Sequence, residues 1–152
     1  MKDRAVATNR KARYDYDIEE SFEAGIELKG PEVKSIRAGR VNLKESFATI
    51  DKEELYLYNC HISPYEHTTA FQLDPLRRRR LLVHKREIMR LMGKTSQKGF
   101  TLVPLKMYFK KGMCKVELAL AKGKKLYDKR RAVKDKEARR ELRKVAEFRK
   151  NR

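Results

Sequence analysis

The chain has 152 residues, enough for one domain with its own core and too few for two ordinary ones. Apolar residues make up 40% and charged residues 39%, and 39 Lys and Arg against 21 Asp and Glu leave a formal net charge of +18, which repels itself unless a polyanion offsets it. No apolar run approaches the ~20 residues of a spanning helix, nor does the N-terminus resemble a secretory signal, and two cysteines, Cys60 and Cys114, suit a reducing compartment better than a disulfide scaffold, so a cytoplasmic protein is expected.

Residues 1–13 are basic and aperiodic, and read as a flexible arm ahead of a domain over 14–121. Phe22, Ala24, Ile26 and Leu28 alternate with Glu23, Gly25, Glu27 and Lys29, the period of a half-buried strand. Pro31 and Glu32 then open a short helix that Gly39 closes, with Val33 and Ile36 turned inward and Lys34 and Arg37 on one solvent face. Residues 47–50 and 55–58 read as a hairpin, and 64–75 as irregular. The basic block Arg77–Arg80 leads into an expected helix over 81–92, where Leu81, Ile88, Leu91 and Met92 form a stripe that stops at Gly93. Two strands follow. Residues 101–109 set Val103, Leu105 and Met107 on one side, with Pro104 signalling an edge or a bulge, and residues 115–121 bury Val116, Leu118 and Leu120 while Lys115 and Glu117 face out. Lys111-Gly112 is the turn between them.

From Lys122 the composition shifts. Residues 122–152 hold fifteen Lys and Arg and five acids, a net +10, with apolar residues too sparse for a core helix. This basic tail reads as disordered alone and helical against a polyanion. Several strands, two short helices and little β-α alternation argue for a mainly β, antiparallel barrel or sandwich; the oligonucleotide-binding type of barrel is favoured by analogy of size and use.

Catalytic signatures are missing. Gly93-Lys94-Thr95 lacks the earlier glycine of a phosphate loop, which would fall at Ile88. His61, His67, His84 and Cys60 have no metal-ligand spacing, and no serine sits in a nucleophile motif. No metal, cofactor or catalytic residue is therefore expected. Basic surface interleaved with Tyr and Phe suits RNA, because guanidinium and aromatic faces both stack on bases. These residues alone leave open a permanently bound ribosomal protein or, without a catalytic set to support it, a small nuclease.

Longer segments are more specific. Residues 9–16 (NRKARYDY), 22–30 (FEAGIELKG), 32–39 (EVKSIRAG), 79–82 (RRLL), 99–109, 114–116 (CKV) and 122–130 (KGKKLYDKR) resemble, in this order, the small protein B (SmpB) family. The resemblance implies an oligonucleotide-binding-type barrel with peripheral helices, bound to the tRNA-like domain of transfer-messenger RNA (tmRNA, also called SsrA). It implies delivery with elongation factor Tu to stalled ribosomes for trans-translation, which rescues the ribosome and tags the incomplete peptide. The tail then enters the empty mRNA channel at the decoding centre. Carried over by position, Glu32, Lys34, Arg37, Asn42, Leu82 and Lys115 become RNA contacts. Lys122, Lys124, Lys125, Asp128, Lys129 and Arg130 become the tail residues nearest the decoding centre. From the residues alone Glu32 reads as a helix-dipole partner; the resemblance turns it into a carboxylate reading base-edge donors. The pattern departs at Tyr14, commonly histidine in the family, at Arg131, where an acid often stands, and in the absence of a tail tryptophan.

Overall fold

A computed structural model describes residues 5–65, 73–123 and 137–144. Its elements run β1 (Ala5–Thr8), α1 (Ala12–Asp15), β2 (Tyr16–Ile26), α2 (Gly30–Arg37), β3 (Val41–Asn42), β4 (Phe47–Asp51), β5 (Glu54–Tyr58), β6 (His61–Ile62), β7 (Arg79–Leu82), α3 (Lys85–Thr95), β8 (Phe100–Lys110) and β9 (Met113–Gly123). Strands β8, β4, β5, β7, β2 and β9 pair in that order, and β9 returns to β8, closing an antiparallel ring. β8 takes β4 at Leu102 and β1 farther along, at Lys106–Tyr108. β3 and β6 form a separate two-stranded ribbon. The expected mainly β barrel with short peripheral helices is what forms.

Two long strands reach around the ring because each is interrupted. β2 shifts register between Ile18 and Glu20, and β8 between Pro104 and Lys106; such bulges bend and twist a strand. Proline has no N–H to give a ladder, so the break falls where Pro104 predicts it. The extra residue also reverses the alternation. Val103 and Leu105 pack with Ala12, Ala119 and Ala121 in a small cluster, while Leu102 and Met107 belong to the main core with Leu55, Leu57, Leu81, Val116 and Leu118. The expectation that Val103, Leu105 and Met107 share one side is thereby corrected. Around the small cluster both faces of β8 and β9 are covered, which is why residues 102–105 and 118–121 read as continuous buried runs.

Three other differences from the sequence reading have local causes. Residues 5–13 are not a free arm: Ala5–Thr8 is a strand of the sheet. Buried Asn9 donates to the Leu43 and Pro104 carbonyls (3.3 and 3.0 Å) and accepts from the Ala12 N–H (3.3 Å). Leu81 and Leu82, expected to open the helix over 81–92, instead end the strand Arg79–Leu82, with Arg79 and Leu81 buried and Arg80 and Leu82 exposed between β5 and β2. Finally, α3 continues through Gly93 to Thr95, where the Thr95 hydroxyl donates to the Leu91 carbonyl (2.8 Å). The Lys111-Gly112 turn forms as read, with φ of 51° and 79°, the left-handed pair of a tight type I′ hairpin turn.

Residues 137–144 are helical and exposed. Among the described residues no helix is long and apolar enough to cross a membrane. Cys60 and Cys114 are free thiols in the main core, and burial pushes their pKa up to about 11 and about 12. Thiolate is the reactive form, so the native protein should be inert to a thiol-specific disulfide reagent at mildly alkaline pH. Both cysteines should react in denaturant. Labelling of either in the native state would contradict their packing.

Candidate nucleic-acid interface

One row of cross-strand neighbours gathers residues far apart in sequence. Leu82 of β7 pairs with Gly25 of β2, Gly25 with Lys115 of β9, and Lys115 with Tyr108 of β8. A Cβ at Gly25 would stand 3.2 Å from the Leu82 Cβ, so glycine leaves the row open between an exposed leucine and a half-buried lysine. The opening is a groove of about 980 Å³ whose walls include Phe22, His84 and Arg86. A smaller groove shares Leu82, Gly25 and Lys115 and extends to Val33, Phe109 and Met113. The Arg37 guanidinium lies 4.6 Å from the Phe109 ring centroid, so α2 contributes a cation to the same surface. Arg37, Leu82 and Lys115, read separately from the sequence, thus share one face. Arg86, Phe109 and Met113 join them unforeseen; the outward alternation of Met113 with Lys115 was the one available signal for them.

Both acids that line the larger groove are already engaged, Glu87 with Arg90 and Glu23 with two partners. Tyr108 donates its hydroxyl to Glu23, and Lys110 stands 3.6 Å away. The tyrosine hydrogen bond holds the Glu23 carboxyl below the usual range.

Glu32 is not placed to read bases. Its side chain is buried; Oε1 accepts from the Lys29 N–H (2.9 Å) and Arg77 Nη2 (2.5 Å), and Oε2 from Arg79 Nε (2.8 Å) and Nη2 (2.7 Å). Burial alone would raise its pKa, but the hydrogen bonds from Arg77, Lys29 and Arg79 outweigh it and hold the carboxyl below its ordinary value. The expectation of a direct base-edge contact is corrected accordingly: both oxygens are occupied by this chain's own donors. Arg79, fully buried, also donates to the carbonyls of Cys60 (2.5 Å) and Pro75 (3.1 Å), tying the start of α2 to the connection between β6 and β7.

Lys34 is exposed, its ammonium 5.2 Å from the Tyr65 ring centroid. Asn42 is exposed on β3 and accepts from the Lys44 N–H at 2.8 Å; it lines neither groove. Lys122 sits near the other end of β9, opposite Asp17 and Phe100. Seven residues of strand separate it from Lys115, ~23 Å. Tyr16, next to Tyr14 of α1, pairs with Gly123 at that end. Lys124, Lys125, Asp128, Lys129 and Arg130 lie outside the described residues. Among the described residues no three His, Cys, Asp or Glu side chains cluster as metal ligands.

A closed antiparallel barrel with net charge +18 and a groove walled by leucine, aromatics, lysine and arginine defines a small nucleic-acid-binding barrel. A family model described as SmpB protein matches residues 6–148, and the chain belongs to that family. The SsrA-binding protein of Caldicellulosiruptor bescii is 62% identical over 141 residues, covering 93% of this chain and 89% of that one. That of Carboxydothermus hydrogenoformans is 61% identical over 143 residues, 94% and 96% of the two chains. A chain of the solved structure "tmRNA-SmpB: a journey to the center of the bacterial ribosome" superposes with a TM-score of 0.68 at 55% identity, over 83% of this chain and 92% of that one.

Proposed function

We propose that the chain binds the tRNA-like domain of tmRNA and carries it to stalled ribosomes for trans-translation, acting in the cytoplasm by binding rather than by catalysis. The observation that supports this most directly is the division of the barrel into two ends. The Leu82–Gly25–Lys115 row, with Arg37 on Phe109, lies at one end, and β9 delivers the basic tail from the other, ~23 Å away. An adaptor between an RNA and a ribosome needs this separation. Lys115 and Arg37 supply cations, Leu82 and Met113 an apolar contact, and Lys34 a further charge. Asn42, on β3, stands as a separate contact. The barrel domain spans 14–121 and the tail begins at Lys122, on the last residues of β9, with Lys122, Lys124, Lys125, Asp128, Lys129 and Arg130 directed to the decoding centre and mRNA channel. Elongation factor Tu is the delivering partner of the aminoacylated RNA.

The test is to sequence RNA that co-purifies from cells with the wild-type chain and with Leu82→Glu. One dominant species with a tRNA-like end should accompany the wild type and be depleted from the variant, whose carboxylate repels phosphate at the groove. Recovery of ribosomal RNA alone, in equal amounts from both, would instead identify a permanent ribosomal component.

A further inference from the structure

Among the described residues, the ion cluster at the start of α2 sets one buried carboxylate against two guanidinium groups. Glu32 is the sole carboxylate within ion-pair distance of both Arg77 and Arg79 among the described residues. Glu32 and Arg79 are poorly hydrated, a setting in which an uncompensated ion is costly. Arg79 is sealed, with its side chain 1% exposed, whereas Arg77 keeps 30% of its side chain accessible. Arg77 is also the under-used member. Among the described residues its Nε is buried with no acceptor, and Nη1 reaches the Arg78 carbonyl alone, at 3.5 Å. Asp74, in the preceding turn, accepts from the Leu76 N–H, and among the described residues it makes no ion pair with either arginine.

We propose that Arg77 is a phosphate-binding residue for RNA, aimed by Glu32, and that Glu32 acts on RNA through this arginine. The inference rests on the RNA-binding function proposed above. Nη2 is held on Glu32 Oε1, and Nη1, whose contact is a long hydrogen bond to the Arg78 carbonyl, keeps a donor to spare. A phosphate oxygen there completes the hydrogen bonding of a planar, preorganised cation and cancels the surplus charge of the cluster. Arg77 lies two residues ahead of β7 and five ahead of Leu82, at most ~17 Å along the chain, so the contact would add to the groove's footprint beyond the start of that strand.

The experiment titrates a transcript of the tRNA-like domain with the full chain over a series of salt concentrations. Arg77→Gln should bind more weakly and lose about one unit of the slope of log K against log salt. Arg77→Lys should restore most of the slope, a result that loss of packing would not produce. Glu32→Gln combined with Arg77→Gln should bind no more weakly than Arg77→Gln alone, because the carboxylate acts through the arginine. An unchanged slope for Arg77→Gln overturns the phosphate contact, and additive losses in the double variant overturn the aiming role. If Glu32→Gln does not fold, the two Arg77 variants decide. A wild-type chain that fails to bind the transcript would refute the RNA-binding function itself, whereas normal wild-type binding with an unaffected Arg77→Gln refutes only the present inference.

Discussion

Arg79→Met is expected to lower the unfolding free energy by about 3–5 kcal/mol, the cost of breaking a buried charge pair by removing one partner. The side chain is fully buried and its donors serve Glu32, Cys60 and Pro75. Methionine fills similar volume, so the loss comes mainly from the Cys60 carbonyl left without its arginine donor, the Pro75 carbonyl left with the Ile62 N–H, and a carboxylate left with Arg77 and the Lys29 N–H. Urea unfolding followed by circular dichroism measures it, through a lower midpoint at unchanged slope. A change no larger than the ~0.5 kcal/mol of an ordinary surface substitution would refute this account. The cluster also sets a pH signature. The Glu32 carboxyl is held below its ordinary value in the folded chain, so its contribution is complete above the unfolded carboxylate pKa of ~4.3 and is lost as pH falls through the lower folded value. The stability gap between wild type and Glu32→Gln should narrow in that acid window and stay constant above it.

A second large effect is expected where the tail leaves the barrel. The triple substitution Asp128→Ala, Lys129→Ala, Arg130→Ala should leave affinity for the tRNA-like domain nearly intact and abolish peptide tagging on ribosomes stalled without a stop codon. The groove that we assign to RNA lies at the far end of β9, ~23 Å from Lys122, so the affinity is expected to come from the barrel. Residues 122–152 carry a net +10, a repulsion that RNA phosphates lining a channel would turn into attraction. Residues 137–144 are already helical, with Leu142 70% exposed and unburied by the barrel. A reconstituted translation reaction reads the result; wild-type tagging by the triple variant would remove the tail from the mechanism.

Much of the barrel was legible because long strands announce themselves. β2 and β9 alternate over many residues, and the β4–β5 and β8–β9 hairpins carry their turns in sequence. β7 was hidden because its four residues, Arg79–Leu82, bury an arginine, and no local pattern reveals that its partner is a carboxylate 47 residues earlier. β1 was hidden because its evidence lies in Asn9, whose acceptors are carbonyls of Leu43 and Pro104. The interface was legible residue by residue at Arg37, Leu82 and Lys115. The row was not, since Gly25, the residue that joins Leu82 to Lys115, carries no charge and no side chain to draw attention. Glu32 was legible as a first-turn acid, and its local reading proved nearer the structure than its reading as an RNA contact.

The pairing of Gly25 with Lys115 spans 90 residues of chain, and that of Tyr16 with Gly123 spans more. Contacts this remote make folding slow, because the entropy of closing the loop must be met before the pairing can reward it. During synthesis, β2 waits for the last strand to emerge, and until then β8 has no hairpin partner either. The recognition surface is therefore assembled by the same event that completes the fold. A nascent chain interrupted before β9 can set Leu82 beside Gly25 but lacks Lys115, so an unfinished copy is expected to hold the RNA less tightly than its finished siblings.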